Sequence, residues 1–293
     1  MSRLSCRRNT IVLAVTALTI SAACGNLLSG GGNPTSPSGG GGGGGGGSAT
    51  LALDDGIRFG GVHPAPVVTN GLIYVYQNTG NDGLTVEASS DGLTFAPTPA
   101  TYPAGVSRSI VRLPDGRFRM YYYPDGTAFD IRSAVSSNGL NWTAEAGIRY
   151  TEPGIGGLRA TTLPTGGYRL YFPNSAGGIS SAISSDGLTF AAEGPVAILP
   201  PDGTFTWGAS AAAYLNGQFH MILTKVPSSG VTELWHAVST DGRSWNVDRN
   251  ALAANPGVPL NQPAWSINGS VTRIYFRAQA SGGNAVSSGI VRF

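Results

Sequence analysis

Hydrophobic and polar residues alternate with a period of two along most of the chain after residue 50. The clearest examples are five short segments rich in aromatic and β-branched residues, at 73–76, 118–122, 168–172, 219–223 and 272–276. Such alternation predicts β-strands. Glycine-containing turns such as Asn70-Gly71 precede four of these segments and are typical of hairpins. No segment has an apolar period of 3.6 long enough for a helix, so the pattern predicts an all-β fold.

A second pattern repeats at longer range. Each copy contains Ser, then Asp or Asn followed directly by Gly, and ends three residues later with Phe or Trp. Its copies lie at 88–95, 134–142, 182–190 and 237–245, and their glycines are 47, 48 and 55 residues apart. A period near 50 with strand-like flanks predicts a β-propeller. Five blades of four strands fit the length. Their inner strands are predicted to start near Pro64, Arg108, Arg159, Ser210 and Pro263.

The repeated motif is interpreted as structural. Ser and Asp side chains bond local backbone groups, Asp-Gly makes the tight turn, and the closing aromatic residue packs between blades. Equivalent positions in the second strands carry a further repeated set, read as packing between blades: Arg119, Arg169, His220 and Arg273. The segment 52–59 matches the motif once more. We expect it to supply the outer strand of the last blade and so to close the ring.

The start of the chain has the pattern of an export signal. Three arginines precede a short apolar run at 11–23, which is too short to span a bilayer. Small residues then lead to Cys24, an arrangement that resembles the lipobox of bacterial lipoproteins. We therefore expect a signal peptide over 1–23 and a lipid on Cys24, with an ordinary signal peptide as the alternative. The residue after Cys24 is Gly25 and not the Asp that commonly retains lipoproteins at the inner membrane. This favours a location at the outer membrane or cell surface.

Residues 24–50 are predicted to be a flexible linker, because they are almost all Gly, Ser, Pro, Thr and Asn. The propeller is expected over 51–293. This domain has no cysteine, so no disulfide or thiol metal site is expected. Its basic residues are scattered, which argues against nucleic acid. We also expect a monomer without a cofactor. A metal site is not expected either, since His63, His220 and His236 lie on different strands and are not expected to meet.

The repeats and their Ser-x-Asp-Gly-x-x-Trp/Phe turns resemble the five-bladed propellers of glycoside hydrolase families 43 and 32, over 51–293. The turns are also similar to the Asp-box of the six-bladed sialidases, which has one more residue between Asp and Gly. The resemblance implies a glycan ligand and three catalytic acids, one near the start of each of the first three inner strands.

The sequence departs from the family at those three positions. Eight residues before the turn glycines stand His63, Arg108 and Leu158, so no family carboxylate is visible. Glycoside hydrolysis usually needs two carboxylates beside the scissile bond. The remaining catalytic candidates are weak ones: His63 as a base, and Asp130 and Glu152 as acids in loops near blade junctions.

The starts of the inner strands carry a different set of polar and aromatic residues. This set is His63, Arg108, Arg159, Ser210 and Gln262, together with Trp207 and Trp265. Because inner strands converge on the central channel, these side chains are predicted to share one pocket. Arginine binds carboxylates or phosphates, and tryptophan faces suit sugar rings. The alternative is a polar plug that fills the channel.

Two main hypotheses for function remain open. In the first, a lipid-anchored propeller at the cell envelope binds a glycan or acidic sugar and, in its stronger form, hydrolyses it. In the second, the propeller is a non-catalytic binding module or scaffold. A sialidase is a weaker third hypothesis, because it needs three converging arginines and only Arg108 and Arg159 stand in suitable positions.

Overall fold

The computed structural model describes residues 48–79, 83–125, 129–151, 157–200, 206–208, 210–227, 231–255, 258–280 and 283–293. These residues form strands and turns, and none of them lies in an α-helix. Nor does this part of the chain contain a helix long and apolar enough to cross a membrane. The predicted signal peptide, Cys24 and nearly all of the linker lie outside the described residues.

The strands follow one another in five groups. The N-terminal strands are β1 (Thr50–Leu53) and β2 (Phe59–Gly60). Blade one contains β3 (Val62–Thr69), β4 (Leu72–Thr79), β5 (Gly83–Ser89) and β6 (Ala96–Pro97). Blade two contains β7 (Val106–Arg112), β8 (Phe118–Tyr123), β9 (Asp130–Ser136) and β10 (Thr143–Thr151). Blade three contains β11 (Arg159–Thr162), β12 (Tyr168–Pro173), β13 (Ile179–Ser184) and β14 (Ala191–Pro195).

Blade four is preceded by an additional strand, β15 (Ala197–Leu199), which pairs in parallel with the outer strand of that blade. Its own strands are β16 (Thr206–Trp207), β17 (Ala211–Leu215), β18 (Gln218–Val226), β19 (Glu233–Ser239) and β20 (Ser244–Val247). Both β16 and β17 pair with β18, so they are two parts of one inner strand. Blade five contains β21 (Leu260–Asn268), β22 (Val271–Ala280) and β23 (Gly283–Arg292).

The five sheets form a closed five-bladed β-propeller, as predicted. Each blade has four antiparallel strands in its path from the inner to the outer edge. The inner strands β3, β7, β11, β17 and β21 contact one another in that order, and β21 returns to β3. The hydrophobic core is divided into five clusters, one at each interface between neighbouring blades.

The N-terminal segment closes the ring in the predicted way. Strand β1 pairs antiparallel with β23 from Thr50↔Arg292 to Leu53↔Gly289, and β2 pairs with the same strand further along. Just after β1, the carboxylate of Asp54 accepts hydrogen bonds from Arg273 and Ser288. Blade five is therefore built from both ends of the chain.

The repeated motif has the structural role that its composition predicts. In the first copy, the Ser89 hydroxyl oxygen accepts a hydrogen bond from the amide of Gly92 at 2.8 Å. The Asp91 carboxylate accepts from the amides of Leu93 and Thr94, both at 2.8 Å, and these bonds hold the pKa of Asp91 well below its usual range. The other copies repeat the arrangement around Asn138, Asp186 and Asp241.

Hydrogen bonds between blades end on these same turns. A tyrosine hydroxyl from the second strand of one blade donates to the carbonyl of the motif glycine in the next. The four pairs are Tyr76–Gly139, Tyr121–Gly187, Tyr171–Gly242 and Tyr275–Gly92.

The second-strand arginines form ion pairs inside their own blades and hydrogen bonds to the neighbouring turns. The ion pairs are Arg119–Glu145, Arg169–Glu193 and Arg273–Asp54. The prediction that these arginines are structural is confirmed.

Blade four differs from this pattern because His220 replaces the arginine. Its Nδ1 lies 3.0 Å from Nε2 of His236, and Nδ1 of His236 lies 2.9 Å from a carboxylate oxygen of Asp248. The expectation that these two histidines do not meet was wrong. Their strands are hydrogen-bonded neighbours, with Ile222 opposite His236, so side chains on the same face of the sheet contact each other.

Candidate functional site

The inner strands of three blades begin with a β-bulge. His63, Ser107 and Gln262 have φ values of 53°, 50° and 55°, in the left-handed region that non-glycine residues seldom adopt. The pairing register shifts at the same points, between Val62 and Ala65 in blade one and at the matching positions of blades two and five. A bulge redirects the side chains beside it, so these positions present their side chains differently from a regular strand.

The predicted site residues are not equivalent to one another in register. Arg159 pairs with Tyr171, and the residues in the same position of the other blades are Ala65, Ser109, Ala211 and Ala264. His63 and Gln262 stand at the bulge, and Arg108 one residue further along. Arg159 is therefore the one long side chain in a ring of small ones.

Arg159 bridges the channel from blade three to blade five. Its guanidinium donates to the carbonyl of Pro263 at 2.9 Å, of Gln262 at 3.3 Å and of Leu158 at 3.0 Å. The residue is only 4% exposed. Burial lowers the pKa of Arg159 to about 10, so the side chain is still a cation at neutral pH.

Arg108 is buried at the neighbouring strand and is only 1% exposed. Its guanidinium donates to the Asn78 side-chain oxygen at 3.4 Å and to the Pro103 carbonyl at 3.1 Å. It also lies over the ring of Tyr102, 5.7 Å from the centroid. The Nε–H group is buried and has no hydrogen-bond partner among the described residues. Burial lowers the pKa of Arg108 to about 10, partly offset by Tyr102 and Asp125.

His63 and Gln262 form a hydrogen-bonded pair between blades one and five. The Gln262 side-chain oxygen accepts from the His63 amide at 3.0 Å, and its nitrogen lies 3.1 Å from Nε2 of His63. Since that nitrogen is a donor, Nε2 of His63 must be the acceptor, and the ring proton is on Nδ1. Burial, and then Arg159 and Arg277, lower the pKa of His63 to about 4. In this arrangement His63 is neutral and has no free lone pair for a base.

A channel of about 260 Å³ runs between the inner strands, with Arg108 and Arg159 in its wall. Most of the remaining wall is small or apolar, including Ala160, Ala211 and Ala264. Trp265 also lines the channel, and its indole nitrogen donates to the carbonyl of Ala211 at 2.9 Å. Arg112 and Tyr214 also line the channel, which is therefore a cationic space with two aromatic residues in its wall.

The structure brings together five of the seven residues predicted to share a pocket. Arg108, Arg159 and Trp265 line the channel, while His63 and Gln262 contact each other and the carbonyl of Gln262 accepts from Arg159. Ser210 is buried next to Ala211. Trp207 packs in the cluster between blades three and four, near Ile179 and Val196. It is not part of the channel wall.

The acidic candidates lie elsewhere. Asp130 begins the third strand of blade two, and its carboxylate accepts a hydrogen bond from the Thr151 hydroxyl at 2.7 Å. Glu152 lies outside the described residues. No inner strand contains Asp or Glu, and within the described ranges no group of three or more His, Cys, Asp or Glu residues could hold a metal ion.

Sequence reasoning missed Asn78, Tyr102 and the carbonyl of Pro103, which together surround Arg108. It also aligned blade two one residue out of register. The dipeptide Gly-Val precedes both His63 and Ser107, with φ of 145° at Gly61 and Gly105. Aligning on these glycines instead of the hairpin turns gives the register that the structure has.

These observations define the chain as a five-bladed β-propeller with a cationic central channel. No protein-family model matches the sequence, and no curated protein matches it. Solved structures do match its fold. They include a GH43 endo-arabinanase from Bacillus licheniformis, with 15% identity, a TM-score of 0.58 and coverage of 80% of this chain and 93% of the other.

Two further structures extend the comparison. An arabinanase from Bacillus subtilis has 13% identity and a TM-score of 0.58, over 83% of this chain and 96% of its own. A xylan β-1,4-xylosidase from Bacillus halodurans has 12% identity and a TM-score of 0.62, over 81% of this chain and 54% of its own. At such identities the likeness establishes the fold, which is the glycoside-hydrolase-like propeller that the repeats predicted.

Proposed function

We propose that this chain is a lipid-anchored propeller of the bacterial cell envelope that binds a glycan in its central channel without hydrolysing it. The observation that carries the proposal is the absence of carboxylates from every inner strand. Catalysis at a glycosidic bond usually requires two carboxyl groups on either side of it. At the three positions where the family has acids, this chain has Arg108, Leu158 and a neutral His63 with its acceptor nitrogen already bonded.

The chemistry of the channel supports a sugar ligand. Trp265 supplies an aromatic wall, the alanines leave space, and the guanidinium groups are hydrogen-bond donors for hydroxyl oxygens. The solved structures with this fold are named as arabinanases and xylosidases, which supports oligosaccharides as the ligand class. Small-molecule sites commonly combine an apolar wall with a few polar groups, as this channel does.

Anchoring at the envelope is supported by the sequence pattern of residues 1–24 and by the linker that follows. Strand β1 begins at Thr50, so the linker would reach the propeller at the outer edge of blade five, away from the channel wall. The full chain is expected to partition into the detergent phase of a Triton X-114 extract. The Cys24→Ser variant is expected in the aqueous phase, and equal partitioning of the two proteins would contradict lipidation.

The binding proposal is tested with residues 48–293 and a panel of arabino-, xylo- and uronate-containing oligosaccharides, using calorimetry for binding and mass spectrometry for products. We expect binding and no cleavage. Trp265→Ala should weaken binding by about 10-fold, the scale of one lost aromatic contact. Phe129→Ala is the matched control, because Phe129 is an exposed aromatic residue that does not line the channel.

Two outcomes of this experiment would overturn the proposal. Absence of binding to every oligosaccharide would leave the scaffold hypothesis. Released product would show a hydrolase, and Asp130→Asn and Glu152→Gln variants would then reveal whether either carboxylate is responsible.

A further inference from the structure

We infer that the glycan bound in the channel is anionic, and that the acidic group of one of its sugar residues contacts Arg108 and Arg159. This inference rests on the proposed glycan-binding function and adds the class of sugar. It starts from two buried cations that form no ion pair within the described parts of the chain, although the charge of Asp125 acts on Arg108 from a greater distance.

Among the described residues, three of the other four buried arginines show one way in which this fold neutralises such a charge, whereas Arg149 donates to the carbonyls of Leu188 and Ala146. Arg119, Arg169 and Arg273 each meet a carboxylate at 2.7–2.9 Å. Arg108 and Arg159 are at least as deeply buried, yet neither has a carboxylate within 4.0 Å among the described residues. Their hydrogen-bond partners are backbone carbonyls and one amide oxygen. A buried charge without an opposite charge beside it is unfavourable, so an anion that entered the channel would be stabilised.

Two buried donors near these cations have no partner among the described residues, although neither atom is exposed to the channel. Nε of Arg108 and Nδ1 of His63 are buried and have no partner among the described residues. The ring proton of His63 is on Nδ1, because Nε2 accepts from Gln262. Burial is the main reason that the pKa of His63 is lowered, and the positive charges of Arg159 and Arg277 lower it further. The surroundings therefore favour an acceptor that carries negative charge.

The size of the channel limits what it can hold. About 260 Å³ is slightly below the usual range for small-ligand sites. The ring of small residues around Arg159, which includes Ala65 and Ala264, provides this space. The channel suits one sugar residue with its acidic group, and Trp265 in the same wall offers a face to the ring.

Calorimetry with residues 48–293 tests the inference with three probes: trigalacturonate, N-acetylglucosamine 6-sulfate and neutral arabinotriose. We expect an anionic probe to bind at least 10-fold more tightly than arabinotriose at 20 mM NaCl. Raising the salt to 200 mM should weaken its binding without affecting that of the neutral probe. The first two probes distinguish a carboxylate from a sulfate ester, and competition by sodium sulfate identifies binding of the acidic group alone.

Variants then locate the binding group. Arg108→Gln should weaken binding of the anionic probe about 10- to 100-fold, as expected for a lost charge-assisted hydrogen bond. Arg108→Lys keeps the charge and should retain part of the affinity. Arg117→Gln is the matched control, because Arg117 is an exposed arginine paired with Asp115 outside the channel.

Melting temperatures of the variants show whether a carboxylate of the protein already neutralises the charge of Arg108. The hydrogen-bond partners of Arg108 are neutral, so Arg108→Gln should lower the Tm less than Arg119→Gln, which breaks an ion pair. An equally large decrease for Arg108→Gln would mean that a protein carboxylate neutralises the guanidinium, and would overturn the inference.

The possible failures can be told apart. Binding of arabinotriose as tight as that of both anionic probes would overturn the anionic class and leave glycan binding in place. Anionic binding that Arg108→Gln does not change would also overturn the inference. No binding of any probe would reject the glycan-binding function together with it.

Discussion

The glycines of three repeated turns are required by the neighbouring blade as well as by their own backbone conformation. Gly187 has a φ of 74°, and a Cβ atom there would lie 2.6 Å from both Arg119 Nη1 and Tyr121 Oη. Those two groups hydrogen-bond the turn from blade two. Gly92 and Gly242 have the same surroundings. The absence of a side chain is what allows the blades to bond so closely.

Substitution of this glycine should therefore cost more than backbone strain alone. We expect Gly187→Ala to lower the free energy of unfolding by about 3 kcal/mol, from the left-handed conformation and the displaced hydrogen bonds. Gly166→Ala is the matched control, since φ is 89° there and nothing lies within 4 Å of the added Cβ. It should cost about 1 kcal/mol. Urea denaturation measures both, and equal losses would contradict the role of the neighbouring blade.

At the scale of elements, blade four has a different polar group from the three blades whose second strand contains an arginine. Three blades join their second and fourth strands by an arginine and a carboxylate, whereas blade four uses His220, His236 and Asp248. Asp248 also accepts a hydrogen bond from the Ala49 amide, so this group reaches the segment that closes the ring. Histidine titrates near neutral pH and arginine does not, so blade four is the more pH-sensitive element.

The sign of that pH dependence follows from His220. Burial, and then the nearby His236, lower its pKa from 6.5 to about 4 in the folded protein. Above pH 6.5 His220 is neutral in both the folded and the unfolded chain, so its protonation does not reduce the free energy of unfolding. Between pH 6.5 and about 4 the unfolded chain takes up a proton that the folded chain does not, so stability falls as pH falls.

We expect His220→Gln to flatten this decrease. The slope of the free energy of unfolding against pH should be smaller by up to about 1.4 kcal/mol per pH unit between pH 6 and 5, the value for one proton. Urea denaturation of both proteins from pH 7 to 4.5 gives the slopes. His63→Gln is the comparison from another blade, since the pKa of His63 is also lowered to about 4. Parallel curves for wild type and His220→Gln would contradict the assignment.

At the scale of the whole molecule, the chain ends are held together by one sheet. β1 pairs with β23, and Asp54 joins the N-terminal segment to Arg273 of β22. Blade five would otherwise present β23 as a long unpaired edge. Closure of the ring therefore depends on contacts between residues more than 200 positions apart.

Removing this segment should destabilise the entire propeller. A chain that begins at Gly61 is expected to melt at least about 10 °C below one that begins at Ser48, since about 1 kcal/mol shifts the Tm of a domain of this size by 2–4 °C and several hydrogen bonds and an ion pair are lost. The exposed β23 edge should also promote self-association, which light scattering detects. An unchanged Tm would mean that the ring does not depend on this strand.

The sequence by itself determined the strands, the five blades, the role of the repeated turns and the closure of the ring. The strands, blades and turns depend on local alternation, on turn chemistry and on a repeat, all of which act within about 50 residues. Closure was predicted because residues 52–59 match the repeated motif once more. Only the tertiary structure decided which polar groups meet. Arg119 and Glu145 are 26 positions apart, and His63 and Gln262 are 199 apart. Strand register decided that Arg159, opposite Tyr171, reaches the channel while Trp207 packs between blades three and four, because one residue of slip along a strand turns a side chain to the other face.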